Sequence, residues 1–182
     1  RDPGLAPVEH LKVSGGIFRD MLIHDFDIAR FILGEEPVEL HVIGSALIDP
    51  AVAEIGDIDS AMVLLKTASG KLVHINASRR ASYGYDQRIE AFGAAGMVQS
   101  NNQTATSVSR YTEQSTAVQG PLMNFFIDRY GAAYDLQLSA FIEAVANGEP
   151  VSPSFEDGRR AQMLADAAQQ ALKTGQPVSL QW

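Results

Sequence analysis

Ser60-Ala61-Met62-Val63-Leu64-Leu65-Lys66-Thr67 runs into Ser69-Gly70 and out again through Lys71-Leu72-Val73-His74-Ile75-Asn76-Ala77-Ser78-Arg79. In the second arm Val73, Ile75 and Ala77 alternate with His74, Asn76 and Ser78, the period of a half-buried strand. Two such runs joined by a short glycine turn read as an antiparallel hairpin. Working outward, residues 38–48 read as a strand before the hairpin. Residues 87–92 and 97–100 form a second hairpin around Gly93-Ala94-Ala95-Gly96, and residues 104–112 a more polar strand. Residues 111–126 have no clean period and take no assignment.

Helices stand at both ends. Residues 17–33 carry Ile17, Phe18, Met21, Leu22, Ile23, Phe26, Ile28, Phe31 and Ile32, and Gly34 is a natural C′ residue. Residues 130–147 show one apolar stripe of Tyr134, Leu138, Phe141, Ile142 and Val145, closed by Gly148. A last helix starts at an N-cap, Ser154, with Glu156 and Asp157 in its first turn, and turns Leu164, Ala168, Ala171 and Leu172 to the core. Gly175 and Pro177 end it, and residues 178–181 add an edge strand. Strands joined by short turns make a mainly antiparallel sheet, and terminal helices cover only one of its faces. The expected fold is therefore α+β, a large, mainly antiparallel open sheet with helices packed on one face. The other face meets water or another subunit.

The 182 residues are enough for one substantial domain, and 46 % of them are apolar, as in a globular chain. There is no cysteine, which excludes disulfides and thiolate metal sites and points to a reducing cytoplasm. The formal net charge of -8 argues against nucleic acid or an anionic membrane surface as partner. No apolar run approaches the roughly 20 residues of a membrane span. Arg1-Asp2-Pro3-Gly4-Leu5-Ala6-Pro7 has no initiator methionine and reads as an extended segment. We therefore expect residues 1–182 to be a single domain of a larger protein, with mature processing as the alternative.

The chemistry lies in the first helix. Asp20, His24 and Asp27 interrupt its apolar run at spacings of four and three, which at about 100° per residue places them in one stripe. A carboxylate one turn from an imidazole orients and charges it, an arrangement suited to proton transfer beside a substrate. Gly15-Gly16 lets the backbone approach something closely at the helix start. The same pattern also fits a helix packed on the sheet with one polar edge near a domain boundary. A metal site on His24 with Asp20 or Asp27 is a third reading, but no second histidine stands at ligand spacing. His10, His41 and His74 are scattered and read as surface or strand residues.

A second feature is Arg79-Arg80-Ala81-Ser82-Tyr83-Gly84-Tyr85-Asp86-Gln87-Arg88. Two tyrosines about a glycine at a strand end can offer hydroxyls to a polyol, or can simply flank a turn. The arginines read as solvated or paired with Glu90 and Asp86. No Gly-x-Gly-x-x-Gly, Gly-Lys-Ser/Thr or Gly-x-Ser-x-Gly occurs, so the chain has no dinucleotide fingerprint, no phosphate loop and no serine-hydrolase elbow.

Gly15-Gly16-x3-Asp20-x3-His24-Asp25-x-Asp27 resembles the start of the C-terminal domain of the glucose–fructose oxidoreductase/inositol dehydrogenase/rhizopine-catabolism (GFO/IDH/MocA) family. The resemblance extends over nearly the whole chain. It takes in Tyr83-Gly84-Tyr85-Asp86-Gln87-Arg88-Ile89-Glu90-Ala91-Phe92-Gly93 and the closing Ser154-Phe155-Glu156-Asp157-Gly158-Arg159-Arg160-Ala161, and the Tyr-Gly-Tyr segment points to the inositol branch. It implies a dihydrodipicolinate-reductase-like C-terminal fold that serves substrate binding and oligomerisation. It further implies an NAD-dependent oxidoreductase acting on a cyclic polyol or sugar, with NAD and a catalytic lysine carried by an N-terminal Rossmann domain not contained in this chain. By the same resemblance His24 is the acid/base, and Asp20 hydrogen-bonds both substrate hydroxyl and imidazole. Tyr85, then Tyr83 and Asp2, contact the polyol, and no residue here is a cofactor or metal ligand. A homodimer or homotetramer through the open sheet face is expected. A non-catalytic assembly module and a polyol-binding module without redox role are the alternatives.

Overall fold

A computed structural model describes residues 1–182. Two compact units are present, one made of Arg1–Leu5 with Arg80–Val151, the other of Ala6–Arg79 with Ser152–Trp182.

The second unit carries the main sheet. Strands β1 (Pro37–Ser45), β2 (Ser60–Thr67), β3 (Leu72–Ser78) and β8 (Val178–Ser179) lie in the order β3-β2-β1-β8, all antiparallel. The hairpin expected over residues 60–79 therefore forms one side of the sheet, with β3 at its edge, and the short strand after the last helix pairs with β1 at the other edge. Period-2 alternation sorts the side chains. Leu40, Ala61, Val63, Leu65, Ile75 and Ala77 point inward and are buried, while His41, Ile43, Met62, Leu64 and His74 point outward and are exposed.

Helices α2 (Ile23–Leu33) and α5 (Phe155–Thr174) cover the inner face. Phe26 and Ala29 of α2 and Leu164, Ala165, Ala168 and Ala171 of α5 complete the core with the inward strand residues. The small side chains of α5 let its backbone lie close to the sheet. Its start is a capping box: the Ser154 hydroxyl accepts from Asp157 N at 3.3 Å, and Asp157 Oδ2 accepts from Ser154 N at 2.7 Å. The link from β1 to β2 holds a short helix, α3 (Pro50–Glu54), capped by Asp49. It is knotted by the buried Asp59, whose carboxylate accepts from Leu47 N and Ile48 N at 2.9 and 2.8 Å. Burial works to raise the pKa of Asp59, but these backbone hydrogen bonds outweigh it and the pKa is lowered.

The first helix departs from expectation. It opens with a π-helical turn over Phe18–Leu22, and a separate helix α1 (Val8–Ser14) precedes it where residues 1–7 lead in. Only Leu11 of α1 is buried, so α1 carries little apolar signal.

The first unit holds two hairpins and a long helix. Strands β4 (Ile89–Gly93) and β5 (Gly96–Ser100) pair as expected. Strand β6 (Ser109–Thr112) is shorter than expected, and its partner β7 (Ser115–Gln119) lies in the stretch without a period. Helix α4 (Phe126–Asn147) begins four residues before the expected start and ends at Gly148. Its apolar stripe does not enter a core in this chain: Tyr134, Leu138, Phe141, Ile142 and Val145 are all exposed. No helix is long and apolar enough to cross a membrane.

Candidate active site

The site is built where α1, the π-helical turn and the end of β3 meet in the second unit. Gly15 and Gly16 both have positive φ, +88° and +85°, a pairing of left-handed residues that turns the chain sharply out of α1. A Cβ on Gly16 would stand 3.1 Å from Asp57 Oδ1. The close approach that the double glycine permits is thus to a carboxylate of the same chain. Asp57 Oδ1 accepts the Ile17 N–H at 3.2 Å and so fixes the first residue of the next turn.

Asp20 sits in the π-helical turn. Its Oδ2 accepts from Arg79 Nη1 at 2.6 Å, and its Oδ1 lies 3.7 Å from His10 Nε2. Arg79, just past β3, is buried, with 2 % of its surface exposed. Its other arm, Nη2, reaches Asp57 Oδ2 at 3.4 Å. His24 lies in the first turn of α2, exposed, with no hydrogen bond or ion pair. The contact between Asp20 and His24 that the spacing suggests is therefore absent. The physical reasons are two. A turn with i→i+5 geometry shifts side-chain angles away from the 100° rule, and a buried guanidinium claims the carboxylate first. Asp27 leaves the stripe as well, pairing with Arg30 Nη1 at 3.1 Å.

The residues that sequence reasoning missed are Arg79, Asp57 and His10, the partners of Asp20. One signal for Arg79 was available: it continues the inward series Val73, Ile75, Ala77. No group of three or more His, Cys, Asp or Glu gathers in a way that would hold a metal.

Tyr83, Tyr85 and Asp2 belong to the first unit. Asp2 pairs with this segment through its backbone, its carbonyl accepting from Ala81 N at 2.6 Å. The Tyr83 hydroxyl donates to the buried Asp86 carboxylate and accepts from Arg1 Nη1 at 2.8 Å. Asp86 also takes Arg88 Nε and Asn102 Nδ2, each at 2.7 Å. Burial alone raises the Asp86 pKa, but the donors, Arg88 first, outweigh it and hold the pKa far below the usual carboxylate range. Tyr85 is half-buried, edge-on to Phe125 and Tyr130 at 6.3 and 6.2 Å, with its hydroxyl 3.5 Å from Gln87 Nε2. The glycine between the tyrosines has φ +123°, and a Cβ there would meet Leu122 Cβ at 2.9 Å. Arg88 is paired with Asp86 as expected, whereas Arg79 is neither solvated nor bound to Asp86.

A double-glycine helix entry, an Asp in the following turn, an exposed His at the next helix start and this sheet topology can be set beside known proteins. The family model described as "Oxidoreductase family, C-terminal alpha/beta domain" matches residues 2–180. The chain belongs to that family. The inositol 2-dehydrogenase of Rhizobium meliloti (strain 1021) is 48 % identical over 180 residues, which cover 99 % of this chain and 54 % of that protein. The crystal structure of a myo-inositol dehydrogenase from Corynebacterium glutamicum superposes with a TM-score of 0.96 at 43 % identity, covering 100 % of this chain and 54 % of that one. A scyllo-inositol dehydrogenase from Lactobacillus casei, solved with NAD(H) and scyllo-inositol, has a TM-score of 0.79 at 27 % identity, covering 91 % and 48 %. The chain spans about half the length of the curated relatives it matches.

Proposed function

We propose that this chain is the substrate-side and assembly domain of a cytoplasmic, NAD-dependent inositol 2-dehydrogenase, with a cyclic polyol as substrate. The observation that carries the reading is His24: an uncommitted, exposed imidazole one helical turn from a carboxylate that is itself held fixed. Imidazole is the side chain whose ordinary pKa lies nearest neutrality, which suits it to take a hydroxyl proton and return it. Asp20 would accept a hydrogen bond from a substrate hydroxyl through Oδ1, the oxygen that Arg79 does not hold.

The residues present do not fit a dinucleotide. The one glycine pair at a helix start faces the Asp57 carboxylate, which would repel a pyrophosphate. NAD, the hydride acceptor, is therefore assigned to the part of the protein beyond this chain. What this chain's own side chains supply is binding of the polyol and movement of its hydroxyl proton. In the first unit the Tyr85 hydroxyl is the foremost polyol contact. Tyr83, whose hydroxyl donates to Asp86, and Asp2 follow it. The full-length protein is expected to form NADH from NAD with myo-inositol. Absence of NADH with every inositol isomer would overturn the reading.

A second role rests on the outer sheet face. Register places Ile43 beside Met62 and Leu64 between His41 and His74, and Ile43, Met62, Leu64 and Leu72 are more than half exposed. A contiguous apolar face of this kind suits a second copy of the chain, in a homodimer or homotetramer. Sedimentation of the full-length protein is expected to show the oligomer, and Leu64→Glu to dissociate it. A strictly monomeric wild type at high micromolar concentration would refute this role.

A further inference from the structure

We infer that Arg79 is a positioning residue, which, anchored on Asp57, fixes the Asp20 carboxylate at the edge where His24 stands. The inference deepens the proposed function and rests on it.

Arg79 is an expensive residue for its place. It occupies an inward position at the end of β3, held by its N–H to Asp59 O at 2.8 Å, with its side chain 2 % exposed. Its Nε has no hydrogen-bond partner. A buried guanidinium with an unsatisfied donor adds little stability that an apolar residue of similar volume would not add. Its value lies in what the two remaining arms hold. Nη1 takes Asp20 Oδ2 at 2.6 Å and Nη2 takes Asp57 Oδ2 at 3.4 Å. The other oxygen of Asp57 binds Ile17 N, so the guanidinium is tied to the backbone that opens the π-helical turn. Glycine at position 16 leaves room for that oxygen.

The result is a carboxylate with one oxygen pinned by a buried guanidinium and the other facing only an exposed imidazole. The Asp20 side chain is a quarter exposed, and its Oδ1, which Arg79 does not hold, lies 3.7 Å from His10 Nε2. The charged and titratable groups about it come from four elements. His10 of α1 is 3.7 Å from Oδ1, Arg79 follows β3, Asp57 precedes β2, and His24 stands one turn on in α2. The neighbouring Arg19 is turned away onto Asp166 of α5, at 2.8 and 2.6 Å. Arg79 is therefore the one arginine on Asp20, and Asp57 the carboxylate that shares its charge.

The test uses the full-length protein with myo-inositol and NAD, and three variants: Arg79→Met, Arg79→Lys and Asp57→Asn. The readout is the acid limb of the kcat/KM–pH profile, a property of the whole site. Arg79→Met removes a positive charge, which makes proton uptake at the site easier and moves the limb up by about one pH unit. Asp57→Asn removes a negative charge and moves it down by a similar amount. Arg79→Lys keeps the charge but loses the fork, so kcat/KM falls about tenfold with the limb in place. Should Arg79→Met not fold, the downward shift in Asp57→Asn carries the test. A residue that merely supported the fold would lower activity with the limb unmoved, and that result in Asp57→Asn overturns the inference. Failure of the underlying reading looks different: it shows as unchanged turnover when His24 itself is replaced.

Discussion

His24→Ala in the full-length protein is expected to lower kcat for inositol oxidation at least tenfold, within the ~10²–10⁴-fold range of general acid–base catalysis. The size follows from the surroundings. His24 is the only histidine in the first turns of α2 and Arg79 engages one oxygen of Asp20; His10, 3.7 Å from the other oxygen, is the one further imidazole beside Asp20 and sets the lower end of the expected loss. The same surroundings predict what will not change. His24 is exposed and makes no hydrogen bond or ion pair, so its truncation leaves no buried group unsatisfied and the thermal midpoint should stay within the small range of surface substitutions. The measurement is steady-state turnover beside a melting curve on one preparation. Wild-type turnover in the variant would remove His24 as the base, whereas lost turnover with a collapsed midpoint would make it a structural residue.

The fold was legible where periodicity and turn chemistry agreed. Ser60–Thr67 appears with the expected boundaries because Ala61, Val63 and Leu65 are buried on one face and Ser69-Gly70 turns the chain. The N-cap at Ser154 was legible for a similar reason, as a local motif that needs no tertiary partner, and the structure completes it into a capping box with Asp157. The limits are equally physical. A π-helical turn breaks the 100° rule, so the stripe of Asp20, His24 and Asp27 separates into three environments that no wheel drawn on an α-helix shows. Helix α1 buries one residue, and β7 exposes most of its side chains, so neither carries a hydrophobic period. The stripe on α4 was read correctly as apolar, but a sequence pattern reports what a face wants to meet, not what covers it in this chain.

Arg79 shows how the site itself was half legible. The parity Val73, Ile75, Ala77 continues inward to position 79, but arginine is so seldom fully buried that residue type overrode position. A buried arginine demands carboxylates, and those that answer it, Asp20 and Asp57, are 59 and 22 residues away in sequence. Such a pairing has no local signature. The double glycine was legible as a place of close approach, while the identity of what approaches it, Asp57, again came from 40 residues away.

The same principle, a buried guanidinium gathering distant acids, makes Arg30 a position where a single change should cost much stability. Its Nε and Nη2 hold both oxygens of Glu36 at 2.7 Å, a bidentate pair. Nη1 reaches Asp27 Oδ1 and the Asp157 carbonyl, each at 3.1 Å, so one side chain joins the end of α2 to the start of α5. Its side chain is 7 % exposed. Removing one partner of such a buried pair costs about 3–5 kcal/mol. Arg160 still holds Glu36 at 2.7 Å, and Asp27 and Asp157 are partly solvated, so Arg30→Met should fall at about 3 kcal/mol, the low end of that range. The pH dependence gives the check. The hydrogen bond from Arg30 is the largest cause holding the Glu36 pKa below its ordinary value of 4.5, with burial opposing it and Arg160 assisting. A carboxylate whose pKa is lowered by folding stabilises the fold fully above its unfolded value and loses that contribution as pH falls through the folded one. Denaturant unfolding should therefore show the full gap between wild type and Arg30→Met at pH 7, and a narrowing gap below pH 4.5. A gap of the same size at pH 7 and at strongly acidic pH would mean that Arg30 acts through packing of its stem and not through the charge it shares with Glu36.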